Sequence, residues 1–107
     1  MRLKEDIDKM LDILIKDIRE IIPKEYGFHI EASCIGLDVI FGEEEFENDA
    51  IIVTYGWEEF AYLNLERMDI KDFNYGYDLN EVDIIHNVMK YLDEHSDYIK
   101  ELMNKFK

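Results

Sequence analysis

The sequence predicts an α+β domain, and three observations carry that expectation. Apolar residues recur every three to four positions at both ends of the chain, as on one face of a helix. Between those ends they alternate every second position, as on one face of a strand. The connections between the alternating stretches are too short for parallel crossovers, so the strands should form an antiparallel meander. The expected order is α-β-β-β-β-α, a four-stranded antiparallel sheet with two terminal helices on one face. At 107 residues and 48% hydrophobic, the chain suits a single domain over 1–107 with one core, and it is too apolar for an acidic disordered chain.

The first helix spans residues 3–22. Leu3, Ile7, Leu11, Leu14, Ile18 and Ile21 form its stripe, and Ile13, Ile15 and Ile22 widen it, so this helix should be flanked on more than one side. Glu5, Asp6 and Asp8 suit the positive end of its dipole, and Pro23 stops it, because the residue before a proline is disfavoured in the α region. Phe28, Ile30, Ala32 and Cys34 then alternate with His29, Glu31 and Ser33, which reads as a half-buried strand with Cys34 inward. Gly36 sits where this strand turns or bulges into a second one carrying Leu37, Val39 and Phe41 around Asp38.

Gly42 ends the second strand, and residues 43–49 read as a loop. Ile51, Val53 and Tyr55 start a third strand, Gly56-Trp57 a hairpin connection, and residues 60–65 a fourth strand. Residues 66–78 show no clear period, and 74–78 form a turn-prone aromatic stretch. The closing helix is lined by Val82, Ile85, Met89, Leu92, Ile99, Leu102 and Phe106. Asn80 and Asp83 resemble a capping arrangement at its start, and the run His95-Ser96-Asp97 interrupts it, with Ser96 capping a second piece. The helix-free face of the sheet would carry His29, Glu31, Ser33, Asp38, Thr54, Tyr62 and Asn64, open to solvent or to a partner.

Charge is the most informative property. Twelve basic and 26 acidic residues leave a net charge of −14. Residues 1–24 are balanced, 79–107 carry −2, and 25–78 carry −12, with Arg67 and Lys71 as the only bases of that segment. An excess gathered in the middle of the chain creates a field on one part of the surface. Nucleic-acid phosphates and anionic membranes would be repelled by it, so neither is an expected partner. No run of about 18 apolar residues is long enough to cross a bilayer. The N-terminus lacks an apolar signal region, and the single cysteine suits a reducing compartment, so a cytoplasmic location is expected.

The residue types that carry chemistry do not assemble into a motif. His29, His86 and His95 have no zinc spacing, and the acids at 43–49 lack the alternate-residue pattern and central glycine of a calcium loop. Ser33 and Ser96 have no nucleophile context, and the glycines stand singly at turns rather than in a phosphate loop. Neither a catalytic residue, a metal nor a cofactor is expected. The contact surface expected instead is acidic and aromatic: Glu43, Glu44, Glu45, Glu47, Asp49, Trp57, Glu58, Glu59, Tyr62, Glu66, Asp69, Asp72 and Tyr75. Exposed aromatics ringed by charge are the usual anchors of protein interfaces, with the charges steering association.

In type, this small acidic α+β chain resembles immunity proteins, which neutralise cognate nuclease toxins. It also resembles phage-encoded inhibitors that imitate DNA to block a defence or DNA-binding enzyme. Both resemblances imply a non-enzymatic inhibitor with a basic protein partner, because enzymes that grip phosphate are basic where they do so. Trp57 and the aromatic stretch favour the dedicated one-to-one complex of the immunity type. A small enzyme or ligand-binding domain using the open sheet face is the alternative from another class.

Overall fold

The computed structural model describes residues 2–43, 51–56 and 79–107. The elements are α1 (Arg2–Ile21), β1 (Tyr26–Ala32), β2 (Gly36–Glu43), β3 (Ile51–Gly56), α2 (Leu79–Glu94) and α3 (Ser96–Asn104). Among the described residues the fold is α+β, with a three-stranded antiparallel sheet in the order β1-β2-β3 and three helices. The expected fourth strand at 60–65 lies outside the described residues.

Helix α1 buries Leu14 and Ile18 of its stripe, and Ile22 is buried just past its end. Ile13 and Ile15 are 52% and 42% exposed, so they do not widen the buried face as expected. The reason is angular: each lies a full residue step, about 100°, from Leu14, which points into the core. Past the end of α1, Arg19 donates to the connection into β1: its Nη2 lies 3.1, 2.8 and 2.9 Å from the carbonyl oxygens of Ile22, Pro23 and Tyr26. Its guanidinium also sits 4.8 Å above the centre of the Phe28 ring, tying the end of α1 to β1.

Register then sorts the side chains of the sheet. Ile30, Val39 and Val53 share one row, Ala32, Leu37 and Tyr55 the next, and Phe28, Phe41 and Ile51 a third. This face packs with Leu14, Ile18, Ile85, Val88, Leu92, Ile99 and Leu102 of the helices into one hydrophobic core. Burying a large aliphatic side chain is favourable by about 1.5–3 kcal/mol, so this face holds the helices to the sheet. Tyr26 meets Phe41 edge-on, with ring centres 6.2 Å apart.

Strand β1 ends at Ala32, two residues before the expected inward cysteine, and Cys34 is exposed. The physical cause is the tight turn into β2, in which the Ser33 amide donates to the Gly36 carbonyl at 2.9 Å. Gly56 faces Gly36 across β2 and β3 with φ +87°, and a Cβ there would come within 2.9 Å of the Ile35 carbonyl oxygen. Only glycine accepts both that backbone angle and that approach.

The closing helix is two helices. His95 marks the break, and its Nδ1 lies 2.8 Å from the Tyr91 carbonyl, which already accepts the His95 amide at 3.0 Å. A side chain entering the helical ladder in this way is a recognised cause of a kink. Ser96 is the first residue of α3 rather than its cap; His95 holds the cap position, without a side-chain capping bond. Helix α2 is described from Leu79, and the capping arrangement expected at Asn80 rests on a side chain outside the described residues. Along α2 and α3, Ile84 and Val88 are buried with Ile85, Leu92, Ile99 and Leu102, while Phe106 stays exposed.

Candidate functional site

Of the expected contact residues, Glu43 closes β2, opposite Tyr26 of β1. The others, from Glu44 to Tyr75, lie outside the described residues. The described strands fix the two anchors of the acidic 44–50 segment: it leaves β2 after Glu43 and re-enters the sheet at Ile51, opposite Phe41.

The sheet face turned away from the core is built from residues that alternate with the core. His29, Ile40 and Ile52 form one row across the three strands, and Glu31, Asp38 and Thr54 form the next. His29, Glu31, Asp38 and Thr54 therefore share a face as the alternation implies. Ser33 lies past the end of β1 in the turn, and Tyr62 and Asn64 lie outside the described residues. Ile40 and Ile52 belong to this face and were absent from the expected set; the same alternation that placed Asp38 and Thr54 outward also places them. The face is not uniformly open: Ile52 is 43% exposed, whereas Thr54 retains only 4%.

Its polar row sets two acids side by side. Glu31 stands directly opposite Asp38, a like-charge arrangement that destabilises a sheet. His29 Nε2 approaches Glu31 Oε1 at 3.4 Å, with both side chains more than half exposed. Asp38 Oδ1 and Thr54 Oγ1 are buried, and neither has a hydrogen-bond partner. An unsatisfied buried polar group costs about 1–3 kcal/mol, which singles this row out within an otherwise well-packed fold.

A second polar cluster joins the helices. The Tyr91 hydroxyl donates to Asp17 Oδ2 at 2.8 Å, and the Tyr98 hydroxyl donates to the Met10 carbonyl at 3.1 Å. The His95 ring stacks on Tyr91, with centres 4.1 Å apart. Burial pushes the Tyr91 phenol well above its ordinary value, and the bond to Asp17 and its charge push it further. Burial also raises Tyr98, with the charges of Asp17 and Glu101 adding to it. These contacts bind α2 and α3 to α1 and are structural, because each hydroxyl is already occupied.

A cavity of about 90 Å³ lies between β3 and α2, lined by Val53, Thr54, Tyr55, Met89, Leu92 and Asp93. Pockets that hold cofactors or drug-sized ligands run to about 300–1,000 Å³, so this one suits water or one small group. Among the described residues, no three His, Cys, Asp or Glu side chains are placed to hold a metal ion. No described helix is long and apolar enough to cross a membrane.

Comparison with protein-family models, with curated proteins and with solved structures brings no match for this chain. Fold and surface thus define it by class alone: an α+β domain whose antiparallel sheet carries helices on one face and an acidic row on the other.

Proposed function

We propose that this chain is a non-enzymatic, protein-binding inhibitor of the immunity type, which neutralises a basic nuclease-type toxin. The observation that carries the reading is the placement of charge: residues 25–78 hold −12 of the net −14. An enzyme that binds nucleic acid presents Lys and Arg along its phosphate path. A rigid anionic surface competes for that path and is drawn to it at long range, which raises the association rate. The acids from Glu43 to Asp72 supply the field, and Trp57, Tyr62 and Tyr75 supply the apolar anchors that slow dissociation. Glu31 and Asp38 add the same charge sign on the sheet. The inhibitor acts in the cytoplasm, a reducing setting that suits the exposed, free Cys34.

The alternative is an inhibitor that imitates DNA. The run of acids at 43–49 favours it, since phosphate-like spacing alone would suffice. The two readings part at Trp57, which a charge mimic does not need.

The test is capture of the partner from the native host at low ionic strength, followed by a nuclease assay. A basic partner that cleaves nucleic acid alone, and stops when one equivalent of this chain is added, is the expected result. A partner whose activity is unchanged in the complex would refute the proposal.

A further inference from the structure

The geometry points to an arginine-binding site on the sheet, in which Glu31, Asp38 and Thr54 receive a guanidinium group from the basic partner. This rests on the inhibitor reading for the source of the arginine, and on the sheet itself for the site. The three residues are cross-strand neighbours on β1, β2 and β3, so they share one face. Adjacent strands lie about 4.8 Å apart, so the two acidic side chains rise from neighbouring backbone positions, where one planar fork of N–H donors can address both.

Among the described residues, Glu31 of this row meets only the His29 ring, at 3.4 Å, while Asp38 Oδ1 and the Thr54 hydroxyl have no partner. Two carboxylates stand directly opposite one another, where a sheet would ordinarily place opposite charges. The Thr54 hydroxyl is almost wholly buried beside them without a partner, as is Asp38 Oδ1. Asp38 as a residue is only half-buried, so a donor can reach its carboxylate from outside while Oδ1 and the Thr54 hydroxyl form the floor. A guanidinium bridging Glu31 and Asp38 would neutralise the repulsion. A small turn of the Asp38 carboxylate to meet it would bring Oδ1 to the Thr54 hydroxyl as acceptor.

The occupant is a protein side chain and not a free cation, because the neighbouring row carries two isoleucines. Ile40 and the exposed Ile52 lie alongside, with His29 completing that row, and they offer a bed for the methylene stem of an arginine. Arginine fits better than lysine: its fork addresses two carboxylates at once, whereas an ammonium is a point charge.

The experiment is a backbone amide NMR titration of the whole chain with a blocked Gly-Arg-Gly peptide. The same peptide carrying citrulline or lysine in place of arginine provides the controls. Saturable shifts centred on Glu31, Asp38 and Thr54 are expected with arginine, none with citrulline, and weaker binding with lysine. In Asp38→Asn the arginine affinity should fall about tenfold, the equivalent of one charge-assisted bond. Glu31→Gln provides a second variant that removes one charge from the pair and keeps the fold testable. Shifts that never saturate, that persist in both variants, or that lysine reproduces at equal affinity would overturn the site. The peptide stands in for the toxin, so the two ideas fail separately. An absent arginine response removes this site, whereas an intact response in a chain that inhibits no nuclease removes the inhibitor reading.

Discussion

Replacing Tyr91 by phenylalanine isolates the bond that ties α2 to α1. The ring and its stacking on His95, at 4.1 Å, should survive the change, so only the hydroxyl donating to Asp17 at 2.8 Å is lost. A hydrogen bond to a charged acceptor contributes about 1.5–3 kcal/mol when fully buried. Here both partners are half-buried and solvent screens part of it, so about 1 kcal/mol is the expected loss. For a domain of roughly 100 residues that corresponds to a Tm lower by about 4–8 °C. Urea or thermal unfolding at pH 7 measures the change, and a double-mutant cycle with Asp17→Ala, which removes the acceptor, apportions it, with coupling of about 1 kcal/mol expected between contacting residues. The pH dependence has a definite sign. The phenol's pKa is raised in the folded state, chiefly by burial and then by Asp17, so the folded chain holds this proton more tightly than the unfolded chain. The contribution is complete below pH of about 10, the unfolded value, and declines as pH rises through the folded one. The stability gap between wild type and Tyr91→Phe should therefore narrow in alkali. Equal melting of the two proteins at pH 7, or a cycle with zero coupling, would refute this account of how the helices are joined.

Other outcomes are as definite. Gly56→Ala should destabilise by more than about 1 kcal/mol, since a φ of +87° and a backbone oxygen 2.9 Å away leave no room to relax; chemical denaturation reads it. Replacing Glu43, Glu44, Glu45 and Glu47 by glutamine should slow association with the captured partner at low salt and leave the Tm nearly unchanged. Added salt should slow the wild type towards the same rate in stopped-flow, because screening acts on the encounter. Trp57→Ala should raise the dissociation rate, costing about 2 kcal/mol or more if it anchors a one-to-one complex, and should leave the rate unaltered for a charge mimic.

Much of the fold was legible because its signals are local. The end of α1 follows from Pro23, and the inward residues of β1 to β3 follow from alternation, so Phe28, Val39 and Val53 lie where their spacing puts them. The errors fall at ends and flanks. Cys34 reads as a continuation of β1, but the Ser33–Gly36 turn closes first and leaves it exposed. Ile13 and Ile15 read as core because they are apolar, yet apolarity does not say on which side neighbours stand. Ser96 reads as a cap because of its type, whereas the His95 side chain decides where the helix bends.

The sequence by itself determined the fold class, the balance of charge and the acidic character of the middle segment, because periodicity and net charge are properties of neighbouring residues. Only the tertiary structure decided that Glu31 faces Asp38 and that Thr54 is buried beside it without a partner. Which residues meet across strands depends on register, and a slip of one position would turn every one of these side chains to the other face. That register is held by the turn at 33–36, by the close approach of Gly56 to Gly36, and by the core on the opposite side of the sheet.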